Sequence, residues 1–141
     1  LGSAACIRQA CRTRKILGGG MRQAGVLAAA GHYALQHHVR RLAEDHANLH
    51  TLASGLRAVG ESHPVLRGRI TVHPWQTNIL FTDVQADVAP AFTAWLAQHQ
   101  IRVTSSLYGG QSRLRWVTHL DVNAADVQAA LDCVARFTLP G

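Results

Sequence analysis

Apolar residues recur along this 141-residue chain at two different periods. Between Met21 and Gly60 the sequence is rich in alanine and leucine and lacks proline, and Val39, Leu42, His46, Leu49, Leu52, Leu56 and Val59 follow at steps of three and four. Such steps put side chains on one helix face, so the spacing predicts one long helix, or two joined near His37-His38. After Gly60 the pattern shortens: Pro64, Gly68 and Pro74 punctuate strand candidates at 69–73 and 77–82. Helical period returns in Val88, Ala91, Phe92, Trp95, Leu96 and His99, followed by strand candidates at 101–104 and 114–118. A last helix opens at Asn123, with Asp126 three residues on to complete a cap, and turns Val127, Ala130, Leu131, Val134 and Phe137 inward. Ahead of all this, residues 7–17 predict a short helix that Gly18-Gly19-Gly20 ends, since a glycine costs about 1 kcal/mol inside a helix. The expectation is α/β: a long helix feeding a small open α/β sandwich.

Composition narrows the class. With 48% hydrophobic residues, a chain of this size builds a core without disulfides or metal. Cys6, Cys11 and Cys133 form no CxxC pair and are odd in number, which suits a reducing compartment. No apolar run approaches the roughly 20 residues of a membrane span, so a soluble, cytoplasmic protein is expected, with no membrane partner. The formal charge of +6 keeps a basic nucleic-acid-binding domain as an alternative. Against it, the basic residues are scattered outside Arg8, Arg12, Arg14, Lys15 and Arg22, and aromatics are only 6%, so no nucleic-acid partner is expected. The opening, Leu1-Gly2-Ser3-Ala4-Ala5-Cys6, is small and apolar and has the character of a mid-chain strand.

Three features carry candidate chemistry. The run Gly18-Gly19-Gly20-Met21-Arg22-Gln23 puts a turn at a helix start, where free N–H groups and the helix dipole hold anions, or it is a plain turn; no GK[ST] follows to make it a nucleotide loop. His46 and His50 have the four-residue spacing of zinc sites but lack the glutamate of HExxH and a third ligand, so helix-face histidines are expected and no metal. In Arg113-Leu114-Arg115-Trp116-Val117-Thr118, strand alternation puts Arg113, Arg115 and Val117 on one face and Leu114, Trp116 and Thr118 on the other. A guanidinium there suits a carboxylate, from a substrate or from an internal Asp or Glu.

The stretch Arg14-Lys15-Ile16-Leu17-Gly18-Gly19-Gly20-Met21-Arg22-Gln23-Ala24-Gly25-Val26-Leu27-Ala28-Ala29-Ala30-Gly31 closely resembles the RKxxGGGMRQxGxLAAAG segment of low-specificity threonine aldolases. Leu42-Ala43-Glu44-Asp45-His46-Ala47-Asn48 resembles their RLxEDHxNA helix, Thr77-Asn78-Ile79-Leu80-Phe81 their TNxxF strand, and 115–122 their RxVTHxDV segment, in the same order. These are pyridoxal-phosphate enzymes of the aspartate-aminotransferase-like fold that cleave a β-hydroxy-α-amino acid, typically threonine or allo-threonine, to glycine and an aldehyde. The resemblance implies the C-terminal portion of that fold, with residues 1–36 ending the large cofactor domain and 37–141 forming the small domain. It implies that Arg115 binds the substrate α-carboxylate and that Lys15, Gly19, Gly20 and Arg22 lie near the cofactor. It also implies a homo-oligomeric parent, dimer or tetramer. The family's Schiff-base lysine would precede Leu1, so the chain by itself is expected to be inactive, and no catalytic residue is assigned within it. The rival within the fold is another pyridoxal-phosphate lyase or transferase acting on amino acids.

Overall fold

A computed structural model describes residues 2–139. Two compact units follow one another, Leu1–Val39 and Arg40–Gly141.

The first unit is helical. Helix α1, Ala4–Ile16, is capped by Ser3, whose Oγ accepts from the Cys6 N–H at 3.3 Å. It ends where Gly18, at φ +76°, turns left-handed so that the Gly18 N–H reaches Lys15 O and the Gly19 N–H reaches Arg14 O, at 3.1 and 2.8 Å. A Cβ on Gly19 would stand 2.7 Å from Arg14 Cγ and 3.0 Å from Arg14 O, so the second glycine is needed for closeness rather than for its dihedrals. Helix α2, Gly25–His37, begins only after Ala24. The glycines therefore close one helix and stand well short of the next, in place of the expected turn at a helix start. Neither helix buries a residue, and Ile16, Leu17, Met21, Val26, Leu27 and Leu35 are all exposed.

The second unit is the sandwich. Helix α3, Leu42–Ser62, precedes strands β1, Ile70–Val72, and β2, Ile79–Val84; helix α4, Ala89–Gln98, precedes β3, Thr104–Tyr108, and β4, Gln111–Val117; helix α5, Ala124–Ala135, closes the unit. The predicted long helix is thus two, α2 and α3, broken close to His37-His38. The four strands form an antiparallel sheet in the order β1-β2-β4-β3. One face, carrying Leu80, Val84, Leu114 and Trp116, packs on a helical layer anchored by Leu49, Leu56, Phe92 and Val134. Trp116 Nε1 donates to Thr82 Oγ1 at 3.0 Å, which satisfies the one polar atom of that buried indole. Burial pushes the Cys133 thiol pKa up, which suits a packing residue. The Asn123–Asp126 capping box that begins α5 is present as the sequence predicts.

Two expectations shift. On α3 the buried stripe is Asp45, Leu49, Leu52, Ala53 and Leu56, while Val39, Leu42 and His46 are exposed, because the first turn is held by polar bonds instead of apolar contact. The strand expected at 101–104 begins only at Thr104. Ile101 belongs to the end of α4: Gln100 at φ +62° lets the Ile101 N–H return to Leu96 O at 2.9 Å. Gly109 and Gly110, at φ +58° and +79°, then supply the two left-handed residues of a tight hairpin into β4.

Candidate functional site

The sheet face opposite the helical layer carries the charged residues. In the β2–β4 register Asp83 lies across from Arg113 and Phe81 across from Arg115, so both arginines project from the same face. Their surroundings differ. Arg113 Nε donates to Asp83 Oδ1 at 2.7 Å and Nη2 to Oδ2 at 2.8 Å, a two-point pair, and its guanidinium carbon sits 3.8 Å above the Tyr108 ring. His73 Nε2 is 2.7 Å from Asp83 Oδ2. A carboxylate only accepts, so that nitrogen carries a proton, and Arg113 Nη2, 3.3 Å from it, makes a close contact rather than another hydrogen bond. The Arg113 hydrogen bonds, opposed by burial and helped by His73, hold the Asp83 pKa at about 2, below the ordinary 3.8.

That depression has a testable sign. A carboxyl whose pKa is lowered in the folded chain adds stability above its unfolded pKa and loses it as pH falls toward the folded one. Asp83 is expected to contribute about 1–2 kcal/mol at neutral pH, after allowance for solvent screening at the part-exposed Arg113, and to lose it between pH 3.8 and about 2. Urea unfolding midpoints of wild type and Asp83→Asn should therefore converge over that window; curves that stay parallel would discount the pair.

Arg115 is exposed, and its side chain has no hydrogen-bond or ion-pair partner among the described residues. The choice that strand alternation left open is thus divided between two side chains: Arg113 takes the internal acid, and Arg115 is unclaimed.

Behind this face the segments of the later motifs are tied together. Arg41 Nη1 donates to Asp45 Oδ2 at 3.1 Å, and its Nη2 donates to His119 O at 3.3 Å while lying 3.0 Å from Asp45 Oδ1. Asn48 Nδ2 donates to Val122 O, Thr118 Oγ1 to Asp45 O and Asn78 Nδ2 to Thr118 O, at 3.1, 2.7 and 2.8 Å. Asp45, Asn48 and Thr118 therefore fix the start of α3 to the exit of β4, Asn78 fixes the entry to β2 to the same exit, and together they position the strand that carries Arg115. His46 is exposed and His50 stacks edge-on to Trp75 at 5.7 Å; no metal-ligating group of three occurs among the described residues.

In the first unit Arg14, Lys15, Gly18, Gly19, Gly20 and Arg22 line an open hollow of about 520 Å³. Three cations meet there. Of the three glycine N–H groups, those of Gly18 and Gly19 are used in ending α1, which leaves that of Gly20 as a donor beside the side chains. Among the site residues, sequence reasoning missed Asp83, His73 and Tyr108; the one available signal was Asp83 itself, an acid that strand alternation puts on the face of β2 turned away from Leu80 and Val84.

The profile of the beta-eliminating lyase family matches residues 1–87. The chain belongs to that family. It is 41% identical over 117 residues to the low specificity L-threonine aldolase of Escherichia coli K12, covering 83% of this chain and 31% of that protein. It is 37% identical over 139 residues to the probable low-specificity L-threonine aldolase 2 of Arabidopsis thaliana, covering 97% of this chain and 37% of that one. The chain thus spans about a third of the length of these relatives. Its fold is similar to part of 8-amino-7-oxononanoate synthase from Francisella tularensis, with a TM-score of 0.58 at 17% identity, over 77% of this chain and 30% of that one. This α/β family member has no helix, among the described residues, that is long and apolar enough to cross a membrane.

Proposed function

We propose that the chain is the C-terminal portion of a pyridoxal-phosphate-dependent threonine aldolase, in which it supplies the substrate-carboxylate site. The observation that carries this is the unclaimed guanidinium of Arg115 on an open sheet face, beside an Arg113 already held by Asp83. A planar two-donor group fits the α-carboxylate of a β-hydroxy-α-amino acid, and a rigid strand fixes how the Cα–Cβ bond is aimed.

The cofactor fits the residues present at its phosphate end. Lys15, Arg22 and the Gly20 N–H around the hollow have the donor chemistry for a phosphate, with Gly19 keeping the wall close, and Arg14 adds a third cation. When bound, pyridoxal phosphate supplies the electron sink for charge left on Cα. Lys15, the only lysine, stands in the last turn of α1 among these cations, where its role is to hold an anion. Residues 1–36 would then end a larger cofactor domain and 37–141 form the small domain; the division of the chain after Val39 supports that reading. The exposed apolar side chains of α2 support a homo-oligomer that covers them.

The test compares this chain with an extended one that carries the upstream two-thirds. With pyridoxal phosphate and threonine, the extended protein is expected to release glycine and acetaldehyde as a dimer or larger in sedimentation, and the 141-residue chain to release neither. Turnover by the short chain, or a monomeric extended enzyme, would contradict the respective part.

A further inference from the structure

The open sheet face carries two guanidiniums two residues apart on β4, which puts their Cα atoms about 6–7 Å apart on the same side. Two free guanidiniums at that spacing would suit a dianion with two carboxylates. Only one of them is free. Asp83 takes Arg113 by two hydrogen bonds of 2.7 and 2.8 Å, His73 holds the same carboxylate at 2.7 Å, and Tyr108 lies under the guanidinium. No acid stands opposite Arg115: its cross-strand neighbours are Phe81 and Thr104.

We propose that Asp83 is a specificity-determining residue: by holding Arg113 it leaves Arg115 as the face's one anion-binding guanidinium, so that the face selects ligands with a single carboxylate over dicarboxylates. His73 and Tyr108 are positioning residues in this device, His73 by fixing the carboxylate and Tyr108 by fixing the guanidinium plane. The inference rests on the reading of Arg115 as a carboxylate site. It adds the side chain that sets how many carboxylates the site accepts.

The test follows arginine Nε–H resonances in the 141-residue chain, labelled with ¹⁵N-arginine, during titration with acetate or with succinate at matched ionic strength. In wild type the Arg115 signal is expected to move with both probes and the Arg113 signal to stay still. In Asp83→Asn the Arg113 signal should move as well, and the preference for succinate over acetate should rise at least ten-fold. Asp87→Asn raises the net charge equally at an exposed acid that pairs with Arg69, and should leave that preference unchanged. Asp83→Thr, a strand-favouring replacement, repeats the measurement should the asparagine variant fail to fold by circular dichroism. Adding Arg113→Gln to either variant should restore the wild-type preference. A responsive Arg115 accompanied by an Arg113 that moves in wild type, or that stays still in the variants, would overturn the proposal alone. An Arg115 that answers neither probe in wild type would overturn its carboxylate role and the proposal together.

Discussion

Replacing Arg41 by methionine is expected to destabilise the Arg40–Gly141 unit by about 3 kcal/mol, a large part of the roughly 5–15 kcal/mol that holds a domain folded. The Asp45 side chain is 5% exposed, and Arg41 is the only cation paired with it among the described residues. Methionine keeps much of the volume and removes the charge, so the carboxylate is left buried without compensation, which costs far more than the pair contributes when intact. Arg41 also holds His119 O, so the exit of β4 loosens in the same step. The double variant Arg41→Met with Asp45→Leu should regain most of the loss, because two apolar side chains of similar size replace the pair and Thr118 Oγ1 still has the Asp45 backbone oxygen to donate to. Urea unfolding of wild type, single and double variants measures this. A single-variant loss under about 1 kcal/mol would mean that the carboxylate reaches water by a small rotation.

Arg115 should show the opposite profile. In the extended enzyme, Arg115→Lys keeps the charge and loses the two-point contact, and Arg115→Ala loses both. Charge-assisted hydrogen bonds contribute about 1.5–3 kcal/mol, so kcat/KM for threonine is expected to fall by about one to two orders of magnitude. Stability should change by no more than about 0.5 kcal/mol, since the side chain is exposed and has no partner among the described residues to lose. Cofactor absorbance should be unchanged. A variant with full kcat/KM and a depressed melting temperature would move Arg115 out of the site and into the scaffold.

The parts of this architecture that were legible in the sequence are those fixed by near neighbours. Helix α5 and its cap depend on Asn123 and Asp126, three residues apart, and the alternation of Leu114 and Trp116 with Arg113 and Arg115 depends on strand geometry alone. What was not legible depends on register. Nothing local tells Arg113 from Arg115; the difference is that Asp83, thirty residues earlier, lies across from one and Phe81 from the other. On α3 the sequence placed Leu49, Leu52 and Leu56 on the buried face, as they are, but misjudged the first turn for a related reason. Leu42 and His46 have the right period, but polar bonds from Asp45 and Asn48 to the 118–122 segment set the rotation of the first turn. The Gly109-Gly110 hairpin was readable from its turn chemistry, and it would have moved β3 to its actual place.

The bonds that tie α3 to the end of β4 also govern the order in which the molecule can assemble. Arg41 to His119, Asn48 to Val122 and Asp45 to Thr118 join residues 78, 74 and 73 positions apart. Contacts of such span form late, because the intervening chain must be gathered before they return any stability. On a ribosome, synthesising from the N-terminus, helix α3 emerges ahead of the segment it is bonded to and waits with its buried carboxylate and leucines uncovered until residues beyond 122 have cleared the exit tunnel. The interval is about 60 residues of synthesis after α3 is complete, several seconds at roughly 5–20 residues per second, during which the apolar face of this helix is open to a chaperone.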